Sequence, residues 1–258
     1  AREISKKKPI LVMKGGRTRA GGSAAASHSG AMAGSMNVFR AAFKQAGVIE
    51  ASNTQELIDC AKAFSHFPIL RGNRIGIITR GGGWGVLAAD ACEEAGLEVP
   101  PLADYLIKEM DKLLPRYWNR KNPVDLVATI ASDPFPKCIE MMAEWDGIDA
   151  IIALGAGFQA FSYNFSDQLK GPKELMDTVG FMKGYFEDRG KHPNSTLKLI
   201  GDLTAQTGKP IISVTIGSDR SQKHYSKQYD VVAFPTPERA VRVLKHMYDY
   251  SRFLNSIG

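Results

Sequence analysis

The sequence has no long apolar run and few cysteines, and these two shortages exclude several classes of protein. No hydrophobic stretch approaches the roughly 20 residues that a transmembrane helix requires, and the charged first residues are unlike a signal peptide. The three cysteines, Cys60, Cys92 and Cys138, are odd in number and lack C-x-x-C spacing. This argues against a disulfide framework and a zinc site. We therefore expect a cytoplasmic protein, away from membranes, with reduced and buried thiols.

The basic residues also form no stripe of the kind that binds nucleic acid. The formal net charge is +6, but apart from the run Lys6–Lys8 the cations are scattered and do not alternate with aromatic residues. We expect no nucleic-acid partner. The excess charge indicates a solvated surface with some preference for phosphate-bearing ligands.

Short apolar runs alternate with helical periodicity along most of the chain. This alternation is typical of βα units and predicts an α/β fold with doubly wound parallel sheets. Predicted strands lie at 10–13, 48–49, 74–79, 149–154, 210–214 and 230–234, and predicted helices follow Ser35, Asn53 and Gly83 or begin near Phe135, Thr196 and Pro237.

The strands divide unevenly between two predicted domains. Residues 74–258 hold enough βα units for a complete domain, whereas 1–67 hold too few, and 68–73 read as a linker. The chain has no initiator Met, and its first residues resemble the end of a helix that stops before Pro9. We therefore expect it to be a fragment of a longer protein, with an incomplete first domain.

Two glycine-rich segments follow predicted strands, where ligands bind in open parallel sheets. Gly81, Gly82 and Gly83 lead directly into a helix, so their backbone amides could bind an anion. The segment does not match G-x-G-x-x-G, since Val86 stands at the last glycine position, and no Walker A loop occurs. A plain strand-to-helix turn without a ligand stays an open alternative.

The other segment, 15–35, contains six glycines and one imidazole, that of His28. It is predicted to be a long loop, because it holds almost no large apolar residue. Imidazole can accept a phosphoryl group, and small neighbours would let a partner surface close around it. A solvated loop histidine without a function is the alternative. Ser27 and Ser29 lack the G-x-S-x-G context of a hydrolase.

Five segments together resemble the ADP-forming acetyl-CoA synthetases, relatives of succinyl-CoA synthetase. The resemblance covers the whole chain and implies flavodoxin-like domains, from the second half of one CoA-ligase domain through all of the next. It departs from the family at Arg80 and Trp84, where Asn and Pro are common. The five segments are Lys8–Thr18, Ala24–Ser35, Thr79–Asp90, Asn122–Leu126 and Gly208–Pro210.

The resemblance implies a reaction in which acyl-CoA and phosphate give CoA and an acyl phosphate, which then phosphorylates His28. The mobile loop would carry the phosphate to an ATP-grasp domain or subunit, where ADP becomes ATP. No cofactor would be tightly bound here. CoA, ADP/ATP and Mg²⁺ would bind in domains outside this chain, including a CoA-binding domain upstream. We expect a homo- or hetero-oligomer and an inactive isolated chain. The implied phosphate-binding residues are Ser27, Ser29, Gly30, Gly81, Gly82 and Gly83.

Two other functions stay open at this point. Some protein acetyltransferases carry a similar region as a regulatory, non-catalytic module, in which the histidine need not work; the retained His28 favours the enzyme. The third interpretation is a flavodoxin-like domain that binds an unrelated ligand. Flavin is disfavoured as that ligand, because no Ser/Thr-rich phosphate loop follows the first strand.

Overall fold

The computed structural model describes residues 1–29, 35–127, 134–156, 195–215 and 231–257. It divides into two compact units, which we call the first unit (Ala1–Ser65 with Arg242–Gly258) and the second unit (His66–Val241). Residues 242–258 therefore group with the first unit by their contacts. The domain limits 1–67, 68–73 and 74–258 stay a prediction.

The first unit is built around two parallel strands, in which Leu11 lies beside Ile49. Both strands match predicted ones. The elements are α1 (Arg2–Ser5), β1 (Ile10–Val12), α2 (Arg19–Ser29), α3 (Met36–Ala46), β2 (Val48–Glu50), α4 (Thr54–His66) and the end of a last helix, described below.

Helix α2 corrects part of the predicted loop over 15–35: residues 19–29 are helical, whereas 30–34 lie outside the described residues. Thr18 begins the helix, since its Oγ1 accepts a hydrogen bond from the amide of Gly21 at 3.1 Å, and its carbonyl accepts one from Gly22 at 2.8 Å. This is an N-cap arrangement, and the alanines that follow have the highest helix propensity of all residues. The segment lacks large side chains, but a helix needs none to close its own backbone hydrogen bonds.

The caps of α3 and α4 agree with their sequence signals. Gly47 ends α3 in the left-handed conformation, with φ of 65°, which glycine adopts without steric strain. Asn53 Oδ1 accepts a hydrogen bond from the amide of Glu56 at 2.9 Å and so caps α4. The carboxylate of Glu56 reaches the amide of Ser52 at 3.0 Å, one residue before the position that a capping box would use.

The second unit contains a parallel five-stranded sheet with the order β4-β3-β5-β6-β7. Numbered within this sheet the order is 2-1-3-4-5, which is the flavodoxin-like arrangement. The predicted α/β class is confirmed. The elements are β3 (Ile75–Thr79), α5 (Gly82–Glu94), α6 (Asp104–Met110), β4 (Val124–Asp125), α7 (Phe135–Glu144), β5 (Ala150–Leu154), α8 (Ser195–Thr207), β6 (Ile211–Val214), β7 (Ala233–Phe234) and α9 (Pro237–Asn255), the last helix.

The three central strands, β3, β5 and β6, are buried at every position. They are therefore covered on both faces, as parallel sheets are. Phe135, Ile139 and Met142 of α7 are fully buried in the same core. Two elements of the second unit are not predicted by the sequence, α6 and the two-residue strand β4. None of the helices within the described ranges is both long and apolar enough to cross a membrane.

Candidate functional site

The glycine turn, Gly81–Gly83, lies at the carboxyl end of β3, beside the end of β5. The strand order reverses between these two strands, and such a switch point is where open α/β sheets bind ligands. Thr79 holds the start of the turn: its buried hydroxyl donates to Gly81 O at 2.7 Å and accepts from Gly81 N at 3.0 Å. Gly81 is then the N-cap of α5.

The three glycines differ in how much room a side chain would have. A Cβ added at Gly82 would lie 2.6 Å from Asp125 Oδ2, so this position has no room for one. A Cβ at Gly81 or Gly83 would meet nothing within 4 Å. All three residues are exposed. Because the first amides of a helix have no partner inside it, this turn presents accessible donors at the positive end of α5.

Arg80 brings a cation to the same edge of the sheet. Its guanidinium carbon lies 4.3 Å from the centre of the Phe135 ring, and its stem runs along Gly155, whose φ is +85°. Gly155 follows the end of β5, and its backbone is unstrained there because glycine adopts this φ freely. The stem of Arg80 thus lies between the loops that follow β3 and β5.

Asp125 also belongs to this site, although the sequence did not predict a role for it. Its carboxylate contacts Gly82, and its Oδ1 accepts a hydrogen bond from the amide of Val127 at 2.9 Å. In the sequence, the segment Asn122–Leu126 contributes to the family resemblance, but nothing in it predicts a role for Asp125. Since β4 pairs directly with β3, the ends of both strands meet at one edge, and that pairing is what carries Asp125 to the glycine turn.

The side chain of Asn122, in the same segment, forms hydrogen bonds with the backbone of β3. Its Oδ1 accepts a hydrogen bond from Ile77 N at 2.9 Å, and its amide nitrogen donates to Ile75 O at 2.9 Å and to Pro100 O at 3.0 Å. A side-chain amide carries the same donor and acceptor as a backbone peptide. Asn122 therefore pairs with the edge of β3 as a neighbouring strand would.

His28 is the residue before last in α2, in the first unit, and its side chain is exposed. Helix α2 packs through small groups: Ala25 Cβ lies 3.5 Å from the position of a Cβ on Gly16. A larger residue at these places would push α2 away from the Gly15–Gly16 turn. The imidazole is thus presented to solvent on a helix with few bulky side chains.

The other predicted residues around His28 are placed only in part. Ser27 is exposed, and its hydroxyl donates to Ser23 O at 3.1 Å, within the helix. Ser29 is the last residue of α2. Gly30 lies outside the described residues. The predicted site residues therefore fall into two groups, His28 with its serines in the first unit and the glycine turn in the second.

Known proteins resemble this chain along nearly its whole length. Residues 1–64 match the succinyl-CoA ligase like flavodoxin domain. The alpha subunit of the ADP-forming acetate–CoA ligase I of Pyrococcus furiosus is 33% identical over 98% of this chain and 49% of its own. The ADP-forming acetate–CoA ligase of Methanocaldococcus jannaschii is 32% identical over 97% of this chain and 32% of its own.

A solved structure shows the same arrangement of the fold. Acetyl-coenzyme A synthetase 1 of Ca. Korarchaeum cryptofilum, in complex with phosphate and ADP, superimposes with a TM-score of 0.76 and 28% identity, over 99% of this chain and 50% of that one. The chain thus spans about half the length of the first of these relatives and a third of the second. With sequence and fold in agreement, this chain is a homologue of the ADP-forming acetate–CoA ligases.

Proposed function

We propose that this chain is the phosphohistidine-carrying part of an ADP-forming acyl-CoA synthetase, with His28 as the phosphate carrier. The observation that carries the proposal is the exposed imidazole of His28 on α2, in a chain homologous to such ligases over 98% of its length. Those relatives favour the enzyme over a regulatory module of an acetyltransferase.

The proposed reaction has three balanced steps. Phosphate oxygen attacks the thioester carbon of acyl-CoA and releases the CoA thiolate, giving an acyl phosphate. A nitrogen of His28 attacks the phosphorus, and the carboxylate leaves. The terminal oxygen of ADP then attacks the phosphohistidine, so that ATP forms and the imidazole is restored. Each step is reversible, and the histidine holds the phosphoryl group between two sites.

The position of His28 defines what else the reaction needs. The carboxyl end of a helix carries partial negative charge, which favours a cation and not a phosphate. A phosphate on His28, with a charge of about −1.5 to −2, therefore requires donors from elsewhere. Helix N-termini supply such donors, and we assign the glycine turn of α5 as one of these stations, with Arg80 as an added cation.

The remaining substrates are assigned to parts outside this chain. We propose that an upstream domain binds CoA and that an ATP-grasp domain or subunit binds ADP or ATP with Mg²⁺. Among the residues that the structure describes, no group of three or more His, Cys, Asp or Glu side chains is placed to hold a metal ion.

Partial reactions test this proposal. The chain is assembled with CoA-binding and ATP-grasp parts and given acetyl-CoA, phosphate and ADP. His28→Ala should abolish ATP formation but still allow acetyl phosphate to form, which phosphate-dependent release of the CoA thiol detects. His66→Ala, at the end of α4, is the matched control and should leave ATP formation unchanged. ATP formation by His28→Ala at the wild-type rate would refute the assignment.

A further inference from the structure

The first unit contains a cavity that the proposed reaction does not use. Its volume is about 630 Å³, within the range of small-molecule pockets. It lies between the end of α3, β2 and residues 245–256 of α9, and neither His28 nor the glycine turn lines it.

The two carboxylates of the cavity wall are already paired with cations. Arg40 Nε lies 3.3 Å from Glu50 Oε2, and the ammonium group of Lys245 pairs with Asp249 one helical turn further on. Their charges are therefore compensated within the wall. These four residues form a polar rim without a net charge.

Two more cations, Lys44 and Arg252, line the same cavity. Neither has a carboxylate partner among the residues that the structure describes; the guanidinium of Arg252 lies 5.9 Å from the ring centre of Tyr248. The cavity therefore carries an excess positive charge. Uncompensated ammonium and guanidinium groups in a concave site favour an anion, and phosphate above all.

Aromatic rings form another part of the wall. The rings of Tyr250 and Phe253 are nearly parallel, 25° apart with centroids 6.4 Å from each other, and Phe43 is a third lining ring. Phe253 lies directly against Gly47, where no side chain would fit. The close contact fixes the ring of Phe253. Because Tyr250 is only 3% exposed and Phe253 is partly exposed, Phe253 is the ring of this pair that can stack on a planar ligand.

His246 adds an imidazole to the cavity wall, and Glu56 orients its ring. Its Nε2 lies 2.6 Å from Oε1 of Glu56, whose side chain is 6% exposed. Glu56 in turn accepts a hydrogen bond from Ser52 N. Since Nε2 is occupied by Glu56, the other ring nitrogen, Nδ1, is the one left for a ligand.

We propose that this cavity binds a small organic anion that joins a phosphate group to a planar ring, as a nucleoside monophosphate does. Lys44 and Arg252 would hold the phosphate, and the partly exposed ring of Phe253 would stack on the planar ring. This would be a ligand site separate from the phosphohistidine reaction.

Calorimetric titration of the 258-residue chain with AMP tests the proposal. AMP should bind with one-to-one stoichiometry, and adenosine or inorganic phosphate alone should bind at least tenfold more weakly. Lys44→Glu should weaken AMP binding about tenfold or more, because one charge-assisted contact is lost and a repulsion is added. Phe253→Leu should weaken AMP binding but leave that of phosphate unchanged.

Two controls isolate the cavity. Lys7→Glu makes the same charge change on an exposed residue outside the cavity and should leave the affinity for AMP unchanged. His28→Ala should also bind AMP as the wild type does, so that a failure of the proposed reaction is distinguishable from a failure of this site. No AMP binding at millimolar concentration, or equal effects of Lys44→Glu and Lys7→Glu, would overturn the proposal.

Discussion

Replacing Asn122 with alanine should destabilise the second unit far more than loss of one exposed side chain. Three hydrogen bonds join Asn122 to Ile77 N, Ile75 O and Pro100 O at 2.9 to 3.0 Å. Both isoleucines are fully buried in β3. Asn122→Ala removes all three bonds and leaves backbone groups along the edge of β3 without their partner.

The expected loss follows from the number of bonds. A hydrogen bond within a protein contributes about 1 kcal/mol net, so Asn122→Ala should lower the free energy of unfolding by about 3 kcal/mol. Urea unfolding followed by tryptophan fluorescence measures this directly. Trp84, Trp118 and Trp145 are the three tryptophans of the sequence, and all lie in the second unit, so the signal reports on the unit that carries the change.

Asn119→Ala is the matched control. Asn119 is exposed; its side-chain amide donates to Pro123 O at 2.9 Å, and its Oδ1 accepts only a long hydrogen bond of 3.5 Å from Lys121 N. Its loss should therefore lower the free energy of unfolding by about 1 kcal/mol. If the two variants unfold within about 0.5 kcal/mol of each other, Asn122 does not serve as a strand partner of β3 and the reasoning is wrong.

Gly47→Ala should destabilise the first unit by about 1–2 kcal/mol from backbone strain alone, and by more because Phe253 must move; faster hydrogen exchange of the amides of α3 would show it. Burial raises the pKa of Glu56, but hydrogen bonds from Ser52 and His246 outweigh burial and hold that pKa below its ordinary value. Its stabilisation is therefore complete above the unfolded value of about 4.3 and is lost as the pH falls through the folded value, a dependence that Glu56→Gln should remove. Burial raises the pKa of Cys60 and of Cys92 to about 12, so neither should react with iodoacetamide at pH 8 until urea unfolds the chain; labelling of Cys60 or Cys92 in the native chain, located by peptide mapping, would contradict this.

The α/β class was predictable because the decisive signals are local. Apolar runs such as Ile75–Thr79 and Ala150–Leu154 are fully buried strands, and short runs bounded by glycine predict such strands. The cap at Asn53 and the end of α3 at Gly47 follow from side chains within the segment itself. Their agreement with the structure reflects physics that acts over a few residues.

The structure differs where local composition was misleading or where contacts join distant segments. Helix α2 differs from the predicted loop because the cap at Thr18 and the alanines behind it stabilise a helix in spite of the glycines. The roles of Asn122 and Asp125 depend on the pairing of β3 with β4, some 45 residues away along the chain. No pattern within either segment reports such a pairing, so this part of the site came from the fold alone.

Direct detection of phosphate on His28 tests the central claim. The chain, assembled with its CoA-binding and ATP-grasp parts, is incubated with ATP and magnesium, and the intact mass and peptide map are then measured without acid. We predict one acid-labile phosphate on the peptide that contains His28, absent in His28→Ala and present in His66→Ala. No phosphate on the assembled protein, or a phosphate that persists in His28→Ala, would contradict the account.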